Sequence, residues 1–304
     1  MIKLSDVNKK IDKSFNVGPL TFEVHKGTVT ALIGNNGAGK STLLRLITGM
    51  VYADSGEINR FGFTIDQMEW KELIGYVPQT STGYDRFTLN QLADLHSIGF
   101  SGWDNNKFMQ LLEQFNIPLN KRVDTLSVGM QKKALLFLAL ARQTKILIMD
   151  EPLSGVDIES QEKIRDLWVN YLEENPDRSI LFSSHVADEV KEFADYIVCM
   201  HDGNIIGNYE KDNLIQNYAR LWVNGTSTMF STIPAVISIT ESGNQCELVT
   251  ANQVETEKAL DTMNSNILSK QSLRFAEILS YILRNQKGET NHDASSKSNN
   301  KKVW

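Results

Sequence analysis

The sequence has only two cysteines among its 304 residues, Cys199 and Cys246. Neither lies in a CxxC pair, and no histidine cluster accompanies them, so the sequence offers no cysteine-based zinc site. So few cysteines are typical of a protein from a reducing compartment. A single disulfide between the two is the alternative that the sequence leaves open.

Long apolar runs are also missing. The two most apolar stretches, 134–141 and 146–149, are far shorter than the roughly 20 residues that a membrane-spanning helix needs. The N-terminus lacks the long apolar core of a secretory signal. The sequence therefore predicts a soluble protein inside the cell.

Positive charge is not in excess. Lysine and arginine total 31 against 37 aspartates and glutamates, which gives a formal net charge of −6. Broad binding of nucleic acid needs clustered lysine and arginine, so the composition predicts no nucleic-acid partner. With 41% hydrophobic and 9% aromatic residues, the chain can form an ordinary packed core.

The order of strand-like and helix-like segments predicts an α/β domain over residues 1–212. A β-prone run, a glycine-rich loop and a helix at 41–48 open this domain. The strands expected in it are 28–33, 73–77, 145–149, 180–183 and 196–200. Residues 80–145 show helical spacing and lack β-branched runs, which indicates a helical insertion.

After about residue 213 the composition changes. Short β-prone runs alternate with turn residues, and two helical patterns follow. The strands expected here are 221–223, 235–239 and 246–249, and the helices are 252–264 and 272–284. We interpret residues 213–285 as a small α+β accessory domain. The polar segment 286–304 has almost no apolar residues and is expected to be disordered.

The segment from Gly34 to Ser41 fits the phosphate-loop pattern GxxxxGK[ST]. Glycines let the backbone wrap closely enough for N–H groups to face phosphate oxygens, and the following helix adds its positive dipole end. Lys40 can reach the β- and γ-phosphates, and the Ser41 hydroxyl can bind Mg²⁺. The nucleotide contacts predicted from this loop are Asn35, Gly37, Ala38, Gly39, Lys40, Ser41 and Thr42. A glycine-rich turn that precedes a helix by chance is the alternative.

An apolar strand further along the chain ends in two carboxylates, Asp150 and Glu151. A buried strand can place Asp150 beside the phosphate loop, where it holds Mg²⁺ directly or through water. Glu151 is then placed to orient or deprotonate the attacking water. The alternative is a strand end whose two acids are merely solvated.

These segments together resemble the ATP-binding-cassette (ABC) ATPases over residues 1–209. The most specific element is Leu126-Ser-Val-Gly-Met130, which departs from the family signature LSGGQ at its third and fifth positions. The resemblance implies a P-loop NTPase fold with a mixed-sheet core and a helical insertion. It also implies that Ser127 and Gly129 contact the γ-phosphate of an ATP bound to a second subunit. Taken alone, the pentapeptide favours an ordinary helix start with Ser127 as the capping residue.

Three further residues match the family in order. Gln79 resembles the glutamine that binds Mg²⁺ and links the core to the helical insertion. Asp157 resembles an acid in the loop that crosses the dimer interface, and His185 resembles the switch histidine that contacts the γ-phosphate. Each residue has a simpler alternative when it is considered singly. Gln79 can be an ordinary loop residue, Asp157 a turn residue, and His185 a structural or solvated histidine.

One residue that the family pattern requires is absent. Family members stack adenine on an aromatic residue before the phosphate loop, and Ile11 stands at that position here. Phe15 lies nearby and is the candidate that replaces it, with core packing as the alternative. Loss of a base-stacking contact costs about 1–3 kcal/mol, so weaker nucleotide binding is expected.

The resemblance implies a mechanical ATP cycle. A signature that acts on a neighbouring subunit requires a second ABC ATPase subunit, identical or different, with two ATP molecules between the pair. Because no segment of this sequence can span a membrane, transport requires separate integral-membrane permease subunits. The permease is expected to dock near the loop 80–87, with Tyr84 and Phe87 as candidate contacts. The chain would then lie at the cytoplasmic face of the cell membrane.

Weaker local matches favour export. The segments 99–104 and 272–279, together with the LSxGM signature, resemble a group of bacterial exporter ATPases. The cargoes of that group include antimicrobial peptides, lantibiotics and drugs. A soluble ABC ATPase in translation or DNA maintenance is the alternative, but the sequence has neither a second cassette nor a long coiled coil. A phosphate-loop kinase is a further alternative, but it would not explain the LSVGM segment or His185.

Overall fold

The computed structural model describes residues 1–63 and 66–284. The disorder expected for 286–304 concerns residues outside those ranges. The chain divides into two compact units, residues 1–211 and the residues from 212 onward. No helix in the described ranges is long and apolar enough to cross a membrane.

The first unit alternates strands with helices over most of its length. Its strands are β1 (Ile2–Lys10), β2 (Asn16–Val24), β3 (Val29–Ile33), β4 (Ser55–Arg60), β5 (Ile74–Val77), β6 (Ile146–Asp150), β7 (Ser179–Ser184), β8 (Tyr196–His201) and β9 (Asn204–Glu210). Its helices are α1 (Lys40–Ile47), α2 (Leu89–Gly99), α3 (Asn105–Gln114), α4 (Val128–Leu140), α5 (Ile158–Glu173) and α6 (Ala187–Phe193), with short 3₁₀ turns at Met68–Lys71 and Val123–Thr125.

The central sheet of this unit has six strands in the order β5-β6-β7-β3-β8-β9. The strands from β5 to β8 pair in parallel, and β9 returns antiparallel to β8, so the sheet is mixed as predicted. Every residue of β3, β6 and β7 is buried, which is typical of parallel strands covered on both faces. The loops that follow these three strands leave the same edge of the sheet, and that edge positions the site.

A second sheet, formed by β1, β2 and β4, is not predicted by the sequence analysis. Its order is β2-β1-β4 and both pairings are antiparallel, with Leu4 opposite Phe22 on one side and Ile58 on the other. Buried and exposed residues alternate along β2 because one face of this sheet packs on the core and the other does not. Residues of β1 and β2 share one hydrophobic cluster with residues of α1, β6 and β8.

Helices α2, α3 and α4 lie between β5 and β6 in the sequence and contact one another. Helix α4 is the most deeply placed, since residues 132–140 are all buried. It begins at Val128, and Ser127 caps it.

The second unit contains a four-stranded antiparallel sheet. Its elements are α7 (Lys211–Asn217, whose first residue ends the first unit), β10 (Ala219–Asn224), α8 (Ser227–Phe230), β11 (Val236–Ser242), β12 (Gln245–Thr250), α9 (Gln253–Thr262), β13 (Ile267–Ser272) and α10 (Phe275–Arg284). The strand order β11-β12-β10-β13 with a βαββαβ sequence is the split βαβ, or ferredoxin-like, topology. The expected strands at 221–223, 235–239 and 246–249 are confirmed, whereas β13 was not predicted.

Candidate functional site

The segment predicted to bind phosphate forms the loop between β3 and α1. Gly39 precedes the helix with a φ of 101°, in the left-handed region that favours glycine. No side chain in the described part of the chain caps α1, so the first N–H groups of the helix have no side-chain acceptor. An uncapped helix start of this kind is suited to an anion.

The back of this loop is supported by the turn between β8 and β9. The Gly203 N–H donates to the Ala38 carbonyl oxygen at 3.0 Å, and the Gly203 carbonyl accepts from the Gly18 N–H at 2.8 Å. A Cβ atom on Gly203 would lie 2.0 Å from the Asn16 carbonyl oxygen, so only glycine fits. This support was not predicted from the sequence, and the one signal for it was the Asp-Gly pair in a turn after a β-prone run.

Lys40 is nearly buried, with 7% of its surface exposed. Its Nζ donates to the Gly34 carbonyl oxygen at 2.7 Å and to the Asn35 carbonyl oxygen at 3.2 Å. Burial lowers the pKa of Lys40, and the nearby charges of Glu151 and Asp150 oppose that shift. The structure thus brings the predicted lysine and the two predicted carboxylates into one electrostatic cluster.

Asp150 is the last residue of β6 and is 2% exposed. Its Oδ1 accepts a hydrogen bond from Ser183 Oγ at 2.6 Å. Its Oδ2 is buried and has no hydrogen-bond partner among the described residues. A buried carboxylate oxygen without a partner is costly, and it is the kind of hard oxygen ligand that Mg²⁺ prefers. The residues present therefore fit the predicted ion.

Glu151 has a left-handed backbone with a φ of 48°, a strained conformation for a residue other than glycine. Hydrogen bonds hold both of its peptide groups. Its N–H donates to Ser183 Oγ at 2.9 Å, and its carbonyl oxygen accepts from Lys132 Nζ at 2.6 Å. Its carboxylate Oε1 lies 3.2 Å from His185 Nδ1. Two residues predicted separately, Glu151 and His185, are therefore in direct contact.

The pairing of β6 with β7 explains this contact. Asp150 lies opposite Ser183, so the segments that follow β6 and β7 start side by side. His185 follows β7 by one residue and has 55% of its side chain exposed, whereas the Glu151 side chain is 11% exposed. On the other side, β5 pairs with β6 and Val77 lies opposite Met149. Gln79, two residues beyond Val77, is exposed near the same edge.

Ser127 and Gly129 stand at the start of α4. Ser127 Oγ accepts from the Met130 N–H at 3.3 Å, so the capping role that the sequence left open is present. Gly129 packs on the loop before α5, since a Cβ atom there would lie 2.9 Å from the Gly155 carbonyl oxygen. No hydrogen bond within the described residues joins Ser127 or Gly129 to the phosphate loop.

Asp157 caps the next helix, α5, by accepting from the Ser160 N–H at 2.8 Å. Its carboxylate also lies 3.4 Å from Lys133 Nζ, which donates to Ser160 Oγ at 2.8 Å. The hydrogen bonds from Ser160, helped by the Lys133 charge, lower the pKa of Asp157 to about 2. Asp157 therefore has the structural role of a helix cap in the turn before α5, and its role at an interface stays a prediction.

Phe15 lies in the turn between β1 and β2. Its carbonyl oxygen accepts from the N–H groups of Ile11 at 3.0 Å and Asp12 at 3.3 Å. Its ring is half-buried and packs against the main hydrophobic cluster. Ile11, by contrast, is 46% exposed. The structure thus supports core packing for Phe15, and contact with adenine stays a prediction.

Two residues of this site were not predicted. Ser183 binds both Asp150 and Glu151, and Lys132 binds Glu151 from α4. Each had a weak signal, a serine at the end of an apolar strand and a lysine pair at the start of an apolar helix. Such signals do not specify a partner, because the partner is distant in sequence.

Comparison with known proteins relates this geometry to a family. The sequence model described as ABC transporter matches residues 17–154. The ABC transporter ATP-binding protein YtrB of Bacillus subtilis is 30% identical over 222 residues, covering 73% of this chain and 76% of that protein. The manganese transport system ATP-binding protein MntA of Synechocystis is 29% identical over 69% of this chain and 86% of that protein.

The lantibiotic transport ATP-binding protein SrtF of Streptococcus pyogenes is 30% identical over 70% of this chain and 92% of that protein. Among solved structures, a dimeric ATP-binding cassette bound to ADP and Pi aligns with a TM-score of 0.62. The alignment covers 69% of this chain and 99% of that chain at 22% identity, which is evidence for the fold alone.

Proposed function

The chain belongs to the ATP-binding proteins of ABC transporters, and on that premise we propose that it pairs with a second cassette to drive export through separate membrane subunits. As a member of this family it is an ATPase. The observation that supports the proposed site most strongly is the electrostatic cluster of the buried Lys40 and Asp150 with the largely shielded Glu151 at one edge of the central sheet.

In the proposed site the phosphate loop and the start of α1 hold the phosphates. Its contacts are Asn35, Gly37, Ala38, Gly39, Lys40, Ser41 and Thr42. The Lys40 ammonium leaves its two loop carbonyls to reach the β- and γ-phosphates. Ser41, Gln79 and Asp150 would hold Mg²⁺, with Asp150 Oδ2 as the free oxygen. The ion supplies positive charge that offsets the charge developing on the phosphates.

Glu151 is the proposed carboxylate that orients or deprotonates the attacking water. Its side chain is largely shielded from solvent, and its backbone is fixed at both peptide groups. His185 contacts the Glu151 carboxylate and is exposed enough to face a γ-phosphate as well. A carboxylate held in a fixed direction is what positioning of a water requires.

Completion of the site by a second cassette is supported by an exposed apolar face. Val128 and Ile158 stand at the starts of α4 and α5 and are 62% and 77% exposed. They flank Ser127, Gly129 and Asp157, the residues proposed to contact the partner's ATP. Exposed apolar side chains grouped with polar ones are typical of a surface that meets another protein.

Docking of a permease segment is supported by a cavity of about 280 Å³ in the first unit. Its lining includes Trp70, Tyr84, His96 and Arg142. Trp70 Nε1, His96 Nδ1 and Arg142 Nε are buried without a hydrogen-bond partner in the described part of the chain. Buried polar atoms without partners around a cavity favour an occupant that supplies hydrogen-bonding groups, including acceptors for the N–H groups of Trp70 and Arg142. We propose that occupant to be a helix of the permease at the cytoplasmic face of the membrane.

Export, the direction of transport, is the most specific part of the proposal. It rests on the local sequence matches and on the relative that serves lantibiotic transport, while another relative serves manganese transport. The match at 99–104 carries little weight, because Trp103 is half-buried and packs between His96 and Phe108, which is an ordinary structural role.

The proposal is tested by co-purification. The full chain carrying Glu151→Gln is isolated from its own host with ATP and Mg²⁺ present, and Lys40→Ala serves as the control that should bind ATP more weakly. We expect a multi-span membrane protein to accompany the first variant in larger amount than the second. Recovery of ribosomes or DNA in its place would contradict the transport role and favour the soluble alternative. Direction is then tested by loss of resistance to an antimicrobial peptide or drug when the gene is deleted.

A further inference from the structure

The backbone of Glu151 is held from two sides by groups that belong to different elements. Ser183 reaches its N–H from the neighbouring strand β7, and Lys132 reaches its carbonyl oxygen from α4. The Ser154 N–H, three residues further along the chain, donates to the same carbonyl oxygen at the longer distance of 3.3 Å. Without such support a residue with a φ of 48° would relax toward an ordinary conformation. Relaxation would also turn the side chain, because the Cβ direction follows the backbone.

Lys132 is one of two buried lysines near the start of α4. It is 8% exposed, and its neighbour Lys133 is 7% exposed and pairs with Ser160 and Asp157. The helix continues as an apolar run from Ala134 onward. A lysine is seldom buried unless its ammonium is paired. The Lys132 Nζ donates to the Glu151 carbonyl oxygen at 2.6 Å. Burial lowers the pKa of Lys132, and the charges of Glu151, Asp150 and Glu189 oppose that shift.

A merely structural lysine at this position would be a poor choice. Methionine has a similar reach and packs in an apolar environment without the cost of desolvating a charge. What methionine lacks is the charged donor at 2.6 Å, so the Glu151 carbonyl oxygen would keep only the longer hydrogen bond from the Ser154 N–H at 3.3 Å. The contact of the buried ammonium therefore explains its presence, because the ammonium holds the peptide of the proposed water-orienting residue, Glu151.

We propose that Lys132 is a positioning residue that fixes the left-handed backbone of Glu151 and thereby aims the Glu151 carboxylate. The inference rests on the proposed role of Glu151 in hydrolysis. It assigns Lys132 no contact with nucleotide. Lys132 also joins the helix that starts at Ser127 to the loop that carries Glu151.

The test compares Lys132→Met and Lys132→Arg with Lys163→Met in the full chain. Lys163 is the matched control, because it is an exposed lysine on α5 that pairs with Glu159 on the surface. We measure kcat and KM for ATP in the presence of Mg²⁺, ATP affinity without turnover, and the thermal midpoint. Lys132→Met is expected to lower kcat roughly 10- to 100-fold, the size of effect that a displaced catalytic group produces, with KM within about twofold.

Lys132→Arg is expected to recover most of kcat, since a guanidinium can donate to the same carbonyl oxygen. Lys163→Met should behave like the wild type. A kcat for Lys132→Met within twofold of the wild type would overturn the inference. So would a loss of ATP affinity equal to the loss of kcat, or an arginine variant as inactive as the methionine variant. If Lys132→Met does not fold, Lys132→Gln takes its place, with a shorter reach and the same expected loss of kcat.

Glu151→Gln, measured in parallel, separates this inference from the function on which it rests. Normal hydrolysis by Glu151→Gln would overturn the role of Glu151 itself. An inactive Glu151→Gln combined with a fully active Lys132→Met would overturn the role of Lys132 alone.

Discussion

The residues assigned to the site fall into a buried group and an exposed group. Lys40 and Asp150 are 7% and 2% exposed and are held by bonds within their own unit. The side chains of His185 and Asp157 are 55% and 61% exposed, Ser127 and Gln79 are exposed as well, and Gly129 is half-buried. The fold alone positions the first group, whereas the roles proposed for the second group require a nucleotide or another protein surface. Variants in the two groups should therefore fail in different ways.

Glu151→Gln should have the largest effect, because Glu151 lies between the two groups and is proposed to act on the water. Glutamine keeps the shape of the side chain but cannot accept a proton. We expect the rate of ATP hydrolysis to fall by at least about 10²-fold while ATP binding persists. Steady-state hydrolysis measures the loss, and light scattering should detect an ATP-bound dimer that accumulates.

The control for that experiment is Glu113→Gln, which changes an exposed glutamate on α3. It should hydrolyse ATP at the wild-type rate. A Glu151→Gln variant that turned over at the same rate as Glu113→Gln would remove Glu151 from the mechanism.

Lys40→Ala tests the buried group by itself. A hydrogen bond to a charged partner contributes about 1.5–3 kcal/mol, which corresponds to roughly a 10- to 150-fold loss of ATP affinity. Titration with a fluorescent ATP analogue measures that loss, with the exposed Lys163→Ala as control. Unchanged affinity in Lys40→Ala would contradict its assignment to the phosphates.

Ser127 tests the exposed group, and two substitutions separate its two roles. Ser127→Ala removes the helix cap and should lower stability by about 1 kcal/mol, whereas aspartate is itself a good cap. If the hydroxyl also contacts a partner's ATP, both variants should lose ATP-dependent dimerisation. Thermal unfolding and light scattering measure the two effects. Full dimerisation by Ser127→Asp would leave Ser127 with the capping role alone.

Substitution of Asp157 should have the smallest effect, a change in thermal stability that depends on pH. Its pKa is lowered in the folded protein to about 2, so its charge contributes stability above the unfolded pKa near 3.8. That contribution is lost as the pH falls through the folded pKa. Asp157→Asn keeps a capping side chain but has no charge. Its thermal midpoint should lie below the wild type at pH 6, and the difference should shrink between about pH 4 and pH 2; a constant difference would contradict this.

The buried group could be predicted from the sequence because each of its motifs is local. The phosphate loop needs its glycines, lysine and hydroxyl within one turn and one helix start, and the two carboxylates need only one strand end. The same locality explains why the strands at 145–149 and 180–183 and the helix α1 appear where their patterns predict them.

The supporting contacts could not be predicted in the same way. Ser183 and Lys132 act on Glu151 across 32 and 19 residues of sequence, so their partners depend on strand order and on how α4 packs. The sheet of β1, β2 and β4 was missed for a related reason. Its strands are polar on one face, and β4 lies more than 30 residues after β2.

By itself the sequence determined which chemical groups are available and which short segments carry them, because glycine content, helix starts and apolar strands are local properties. Only the tertiary structure decided how those groups are supported. It set β6 beside β7, so that one serine binds both Asp150 and Glu151, and it brought a buried lysine from α4 to the Glu151 peptide. The tertiary structure also decided that Lys40 and Asp150 are buried within the unit, whereas His185 and Asp157 face outward. Burial and pairing between distant segments depend on the packing of the whole unit, and no local pattern encodes them.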